Sequence, residues 1–508
     1  MRKSLQGASL LLVAAVIIKG MSAMYRVPYQ NMVGDEGFYV YQQIYPFYAL
    51  VLAFMTTGFP VALSFLLVSS TTDEEAQQKE WTSWTGLFVL GILGWSLFFF
   101  GAGWWAALLR DDQLTPLFRV FSFLFWWLPF LSIIRGNQQA RQDMMPTAVS
   151  QLIEQFVRML VIVTGTYLLW RAGESVYTIG TVAIGGSVVG AFGAFLFLTF
   201  LLLFRRQAIF PRRLTKRSYW DSRFFIRVLV YAVVSVCTVS LFVLFQLVDA
   251  LFIYQVLVET GMTEVSARIE KGVFDRGQPL LQIGLVIATS VALAFTPSLT
   301  KQSIVKKKKA FTLMVRYTIV LAVPATVGLL LLMKPINVML FTNDLGTKTL
   351  QVLSLSLVFG SLAIVGLTVL QTEQRWRVLT GFLGGAFFVK ATATLLLTAY
   401  WGTFGAAWAT VIASVAVCIG VGVCLRPYIE TIDFSVYTTV GQSVLVMGSI
   451  VAVIQLVWPE GDGRIVAGVG VLISAGVGAI VYFVMLWQTS FLSLSEKEAI
   501  FDWLQKRK

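Results

Sequence analysis

Residues 178–204 read TIGTVAIGGSVVGAFGAFLFLTFLLLF and are followed directly by Arg205 and Arg206. No charged side chain interrupts this stretch, and as an α-helix it is longer than the ~30 Å hydrocarbon core of a bilayer. The whole chain has the same character, because 57% of its 508 residues are hydrophobic and only 13% are charged. The sequence therefore predicts an all-α integral membrane protein.

Fourteen apolar runs are long enough to cross a membrane as helices. They cover residues 5–27, 37–68, 83–108, 117–134, 147–170, 178–204, 224–258, 273–300, 310–333, 349–370, 378–400, 404–425, 436–457 and 465–488. The first run follows Arg2 and Lys3 as in a signal peptide, but it continues past Lys19 and further spans follow at once. We therefore predict a retained first helix.

The basic residues between the spans predict the orientation. With the N-terminus in the cytoplasm, 24 Lys and Arg lie in inner segments and 7 in outer ones. The positive-inside rule then predicts a multi-pass protein of the bacterial cell membrane with both termini in the cytoplasm. The net charge of +13 is explained by this topology, so no nucleic-acid partner is expected.

Several kinds of site are excluded by composition. The chain has no histidine, and its three cysteines fall within apolar runs, so neither a zinc site nor a disulfide framework is expected. No loop has the pattern of a nucleotide-binding loop. We therefore expect no cofactor, and we do not expect direct use of ATP.

A weak internal repeat divides the spans into two sets. Gln138 and Gln374 both follow a fourth span, and sixteen residues after each comes an ionisable residue in a fifth span, Glu154 or Lys390. This pattern predicts two six-helix lobes around a central site for alternating access. The predicted units are an N-lobe at 1–204, a basic cytoplasmic linker at 205–223, a C-lobe at 224–425, spans thirteen and fourteen at 426–488, and a cytoplasmic amphipathic tail at 489–508.

Cations inside the spans are the main functional signal. Eight lie within or at the mouths of the apolar runs: Lys19, Arg26, Arg119, Arg158, Arg227, Arg276, Arg316 and Lys390. A charge facing lipid near the bilayer centre costs at least about 2.5–3.5 kcal/mol, so the central ones must face protein, a counter-ion or water. A cationic interior indicates a path for an anionic substrate.

Particular stretches resemble a known family. Tyr25-Arg26-Val27-Pro28, the run GDEGFYVYQQIYP at 34–46, Gly58-Phe59-Pro60 and the run QLIEQFVR at 151–158 are similar to the polysaccharide-export branch of the multidrug/oligosaccharidyl-lipid/polysaccharide exporter (MOP) superfamily. Within it they resemble the lipid II flippases and proteins like stage V sporulation protein B. The resemblance covers essentially the whole chain.

This resemblance implies a function and partners. It implies a flippase, not an enzyme, that moves an undecaprenyl-pyrophosphate-linked saccharide, either lipid II or a related cell-envelope unit, from the inner to the outer leaflet by alternating access. The implied partners are that lipid-linked saccharide and the membrane lipids. A monomeric transporter is expected, and contact with enzymes of polysaccharide assembly is left open.

The resemblance also implies site residues. Basic residues of the first helix that line a cationic cavity are matched by Lys19 and Arg26, and an arginine beside an aspartate at the eighth span is matched by Asp275-Arg276. An acidic residue near the start of the second span is matched by Glu36 or Asp35. The lipid II flippases also use an arginine in the middle of the second span, but residues 49–54 hold no charge here, which favours a relative that carries another lipid-linked saccharide.

Helical spacing adds an independent argument for the first helix. Lys19 and Arg26 are seven residues apart and face the same side of a helix. Together with Arg276 they would surround a pyrophosphate, since guanidinium groups bind phosphate oxygens with two hydrogen bonds. The alternative is that these charges snorkel to the interface or only set topology.

The remaining charges leave two roles open. Glu154 and Arg158 are spaced i,i+4 and either pair within one helix or line the substrate cavity. Lys390 has no acidic neighbour in its own segment, which favours a place in the cavity. Asp249, alone in span seven, either pairs with one of these cations or serves as a coupling-ion carboxylate.

Two rival functions come from other classes. An ion-coupled multidrug antiporter of the same superfamily would share the fold, but it is expected to rely on intramembrane carboxylates more than on cations. A membrane enzyme of polysaccharide assembly would need an acidic pair in a sizeable outer loop, and the predicted outer loops are short.

Overall fold

The computed structural model describes residues 2–68, 72–207, 220–299, 303–428, 434–458 and 463–488. Within these ranges the chain is helical and contains no β-strand. The helices are α1 Arg2–Ala53, α2 Phe59–Leu67, α3 Asp73–Phe100, α4 Ala102–Leu108, α5 Thr115–Ser122, α6 Leu124–Ala140, α7 Met145–Arg171, α8 Val176–Phe204, α9 Ser222–Val239, α10 Leu241–Glu259, α11 Glu264–Asp275, α12 Gly277–Leu299, α13 Ile304–Phe341, α14 Thr347–Thr372, α15 Trp376–Leu425, α16 Phe434–Val457 and α17 Arg464–Gln488. The predicted amphipathic tail and most of the predicted basic linker lie outside the described residues.

Twelve helical stretches of the described chain are long and apolar enough to cross a membrane. Two of them contain a break at a glycine of positive φ, Gly34 in α1 and Gly402 in α15, where the chain reverses between two spans. Helix is present over all fourteen predicted spans, and the predicted fold class, an all-α polytopic membrane protein, is confirmed.

Helices α1–α8, which we call the N-half, pack mainly on one another, with α7 against α8 and α2 against α6. Helices α9–α15, the C-half, do the same, with α15 against α10 and α14. Helices α16 and α17 pack on α13, where the Tyr482 hydroxyl donates to the Val320 carbonyl at 2.7 Å. The exact domain boundaries given above stay a prediction.

The two halves meet mainly along α1, α2 and α9–α12. A π-helix at Phe54–Gly58 joins α1 to α2 and packs on α9, which itself ends at Ser240 instead of continuing through span seven. A Cβ at Gly58 would lie 2.7 Å from Val236, so the missing side chain permits the close approach of the halves. The ion pair between Asp35 and Arg276 crosses this seam.

Candidate functional site

Arg26 of α1 has fewer hydrogen-bond partners than any other buried cation in the described part of the chain. It is 1% exposed, and its guanidinium lies 4.2 Å from the centre of the Tyr45 ring. The Tyr25 and Tyr45 hydroxyls lie near it, but none of its three nitrogens makes a well-oriented hydrogen bond to a described residue. A cation over an aromatic face is stabilised by about 0.5–2 kcal/mol, which leaves its N–H donors unused. Arg26 therefore carries a buried positive charge that no carboxylate of the described residues neutralises.

A row of tyrosines on α1 surrounds this guanidinium. Tyr41, Tyr45 and Tyr48 are spaced i, i+4 and i+7 on one face of the helix, and successive rings lie 6.1 Å and 5.9 Å apart. The hydroxyls of Tyr25 and Tyr41 are 2.8 Å apart. The same sequence stretch that carries the family resemblance thus forms an aromatic wall beside Arg26.

Arg158 of α7 reaches the far end of this wall. Its guanidinium lies 4.7 Å from the centre of the Tyr48 ring, in the middle of the second span. This is the region where the sequence lacks the arginine of the lipid II flippases. A positive charge is present there after all, contributed by a different helix.

Arg158 belongs to a buried cluster that we call the N-half triad: Arg135, Glu154 and Arg158. The Glu154 carboxylate accepts from Arg135 at 2.8 Å and from Arg158 at 3.1 Å. Arg135 also donates to the Ser150 hydroxyl at 3.0 Å and to the Met55 carbonyl of the π-helix at 3.3 Å. Two guanidiniums share one carboxylate, so the triad has a net positive charge.

Lys19 lies on α1 with an exposed side chain. Like Arg26, it acts electrostatically on the Tyr45 hydroxyl. Lys19 and Arg26 therefore both lie close enough to Tyr45 to act on it, as their seven-residue spacing predicts.

Arg276, at the start of α12, is placed differently. Its Nε and Nη2 donate to the two oxygens of Asp35 at 2.8 Å and 2.6 Å, and its Nη1 donates to Asn343 at 2.7 Å and Asn337 at 3.2 Å. All three of its nitrogens are thus engaged, and the bidentate pair with Asp35 joins the C-half to the N-half. In this conformation every nitrogen of the Arg276 guanidinium donates to a protein side chain.

Three further ion pairs join the halves at the same end of the bundle, which we call the Asp35 end. Arg268 contacts Glu36 at 3.3 Å and Asp111 at 3.8 Å, and Arg110 contacts Glu259 at 2.7 Å. Every ion pair between the halves that the described residues form lies here. The Asp35 end is therefore held closed.

Backbone geometry and burial reinforce this closure. Gly34 adopts φ 70°, which turns α1 and presents Asp35, and a Cβ on Gly272 of α11 would lie 2.0 Å from the Asp35 carbonyl oxygen. Only glycine allows the two backbones to approach so closely. Burial raises the pKa of the nearby Asp111 carboxyl, against the opposing effects of the Tyr177 hydrogen bond and the Arg268 charge.

Lys390, Asp249 and Asp275 lie inside the C-half. The Lys390 ammonium donates to the Asp249 carboxylate and to the Thr394 hydroxyl, and both charged residues are almost fully buried. The Lys271 ammonium donates to both oxygens of Asp275 at 2.6 Å. We call Asp249, Lys271, Asp275 and Lys390 the C-half tetrad.

Sequence reasoning missed two important arginines. The predicted fourth span ends at residue 134 and leaves Arg135 outside the membrane, but the helix continues to Ala140 and the Arg135 side chain is fully buried. Arg268 lies between the predicted spans 224–258 and 273–300, in a segment predicted to be an outer loop, but it contacts carboxylates of both halves. An i,i+4 pairing signal existed only for Arg268 with Glu264.

The chain has clear relatives. The family described as polysaccharide biosynthesis protein matches residues 4–303. The Uncharacterized membrane protein YabM of Bacillus subtilis (strain 168) is 34% identical over 506 residues, covering 97% of this chain and 94% of YabM. The Lipid II flippase MurJ of the same organism is 25% identical, with 96% of each chain covered.

Solved structures show the same fold. A lipid II flippase MurJ in its inward closed conformation matches with a TM-score of 0.70 at 14% identity, covering 94% of this chain and 97% of that one. An outward-facing multidrug resistance MATE transporter of the MOP superfamily matches with a TM-score of 0.60 at 15% identity, covering 84% and 96%.

These likenesses support a multi-pass membrane flippase or transporter. They agree with an interior that holds buried charges within each helical half and between the two halves. The chain belongs to the polysaccharide biosynthesis protein family, in the polysaccharide-export branch of the MOP superfamily.

Proposed function

We propose that this protein is a flippase that moves an undecaprenyl-pyrophosphate-linked saccharide from the inner to the outer leaflet by alternating access. The observation that carries the proposal is Arg26, a buried guanidinium that has no hydrogen-bond partner among the described residues. A pyrophosphate offers the bidentate oxygen acceptors that such a group lacks. The family likeness supports the lipid-linked substrate class.

The N-half triad and Lys19 add to this anion site. Arg158 contacts the aromatic wall at Tyr48, and the triad keeps a net positive charge after Glu154 is paired. Lys19 supplies a mobile charge on the same helix as Arg26. We propose that the headgroup binds along this wall between Arg26 and Arg158.

Arg276 acts in the transport cycle through its pair with Asp35. If the termini are cytoplasmic, as the basic residues predict, the Asp35 end faces outward and is closed here. Opening it would separate Arg276 from Asp35 and free its guanidinium for the substrate. A cysteine in place of Glu264 should then be labelled from outside the cell; labelling only from the cytoplasm would reverse this orientation.

The test is complementation in cells depleted of their own lipid II flippase, with two matched variants. Arg26→Ala should accumulate normally, because no ion pair is lost, but should not support growth. Arg227→Ala removes another cation of the apolar runs, one that is exposed, and should behave as wild type. Failure of the wild type to complement would limit the substrate to a different lipid-linked saccharide; growth supported by Arg26→Ala would contradict the anion site.

A multidrug antiporter remains the second candidate because MATE transporters share the fold. It would need a carboxylate that is free to exchange a cation for a drug. In the described halves the intramembrane carboxylates Glu154, Asp249 and Asp275 are each paired with an arginine or lysine. This pairing favours the flippase.

A further inference from the structure

In the C-half tetrad, the positive charge that neutralises the Asp249 carboxylate is a lysine side chain of the protein itself, Lys390. Asp249 lies near the middle of α10, and its carboxylate is bound by the ammonium of Lys390 from α15. The side chains are 2% and 0% exposed. A carboxylate buried at this depth needs a compensating cation, since an unpaired charge there is costly.

The groups around the ammonium are those that bind small monovalent cations. Lys390 donates to a carboxylate oxygen of Asp249 and, at 3.0 Å, to the hydroxyl of Thr394. Oxygen donors of these two kinds also bind hard metal ions. A lysine ammonium is a compact point charge at the end of a flexible side chain, so it can occupy the position of a metal ion between these oxygen atoms.

The rest of the tetrad leaves no charge for an outside cation to balance. Lys271 binds both oxygens of Asp275, and Asp249 acts electrostatically on Asp275, as Lys271 does on Lys390. Two ammoniums and two carboxylates therefore lie together in the C-half with no net charge. Adding an inorganic cation would create an uncompensated charge in the membrane interior.

We propose that the Lys390 ammonium is a built-in counter-cation that occupies the position an inorganic monovalent cation would take at Asp249. The C-half then changes conformation without binding or releasing a cation at this position. The site is latent: removing the ammonium leaves a carboxylate and a hydroxyl that bind Na⁺ or K⁺. This proposal does not depend on which lipid is carried.

The experiment measures thermal unfolding of the purified full-length protein in NaCl, KCl or N-methylglucamine chloride at equal ionic strength. The wild type should unfold at the same temperature, within about 1 °C, in all three salts. Lys390→Ser should unfold earlier in N-methylglucamine and gain about 3 °C or more with rising NaCl or KCl, saturably, as binding to the folded state requires. The double variant Asp249→Asn/Lys390→Ser should show no such gain.

Lys307→Ser is the matched control, because it breaks a lysine–carboxylate pair with Glu373 that is partly exposed to solvent. It should show no saturable cation effect. A folded Lys390→Ser protein that ignores both cations would overturn the proposal. If Lys390→Ser does not accumulate, the wild-type measurement tests the proposal by itself. Saturable stabilisation of the wild type by Na⁺ or K⁺, absent from the double variant, would also overturn the proposal. Unfolding of the wild type at a temperature that does not depend on the cation would support it.

Discussion

The N-half triad and the C-half tetrad both contain buried charges, but the triad has a net positive charge and the tetrad has none. They occupy related places, because Glu154 and Lys390 both lie sixteen residues after Gln138 and Gln374 of the predicted repeat. In the N-half, two arginines share one carboxylate and Arg26 has no carboxylate partner among the described residues. In the C-half, each carboxylate of the tetrad has its own lysine.

This difference assigns different tasks to the two halves. A surplus of guanidinium groups is useful where an anion must bind, because an arginine stays charged in any protein environment and offers five donors. A neutral cluster is useful where helices must pack and move in the membrane without carrying charge. We therefore expect the N-half to bind the headgroup. We expect the C-half to move relative to the N-half during transport.

The largest expected effect comes from removing one carboxylate from each half. Glu154→Gln leaves Arg135 and Arg158 both charged and buried, which should cost about 3–5 kcal/mol of stability. Asp249→Asn leaves only Lys390, and a buried lysine can relieve the cost by losing its proton, whereas arginine cannot. The yield of folded protein and its unfolding temperature should therefore fall further for Glu154→Gln.

Asp143→Asn is the control for this pair of variants. Its partner is Arg205, and both side chains are about one-third exposed, so the loss should be below about 1 kcal/mol. An Asp249→Asn protein that is as unstable as Glu154→Gln, or more so, would remove the distinction between the triad and the tetrad.

A smaller effect is expected from the membrane potential. A full crossing of the membrane by one charge is coupled to about 2.3 kcal/mol per 100 mV, so voltage should act on the charged N-half and not on the neutral tetrad. We expect voltage to bias the empty carrier more than a carrier neutralised by pyrophosphate. The readout is thiol labelling of Val33→Cys, a buried position at the Asp35 end, in a variant without native cysteines and under an imposed potential.

Labelling should change several-fold with potential in the otherwise native protein and less when Arg26→Ala is added. It should keep the native response when Asp249→Asn/Lys390→Met is added, since this pair removes equal and opposite charges. A response that depends on the tetrad and not on Arg26 would show that the C-half carries the voltage-sensitive charge.

Hydropathy was sufficient to predict the fold, and the structure shows why the site was harder. Every apolar run became helix because lipid leaves the backbone no other way to satisfy its hydrogen bonds within one segment. The partners of the buried charges are distant in sequence: Lys390 and Asp249 are 141 residues apart, and Arg276 and Asp35 are 241 apart. No local spacing in the sequence could predict which of these residues form pairs.

Local spacing succeeded where both partners share a helix. The i,i+4 pair of Glu154 and Arg158 is present, and Lys19 and Arg26 reach the same region. It did not reveal that Arg135 from the preceding helix also binds Glu154, which turns a neutral pair into a cationic triad. The charge surplus of the N-half is thus a property of tertiary packing.

The most direct test of the anion site is lipid binding by purified protein. Native mass spectrometry or a titration in detergent would compare a polyprenyl-pyrophosphate saccharide with the same saccharide on an uncharged polyprenyl lipid, for wild type, Arg26→Ala and Arg227→Ala. The wild type and Arg227→Ala should prefer the pyrophosphate lipid, and Arg26→Ala should bind it about 10- to 100-fold more weakly, as expected for losing hydrogen bonds to a charged group. If the wild type bound both lipids equally, or if Arg26→Ala bound the pyrophosphate lipid as tightly as the wild type, the excess positive charge of the N-half would not be the headgroup site.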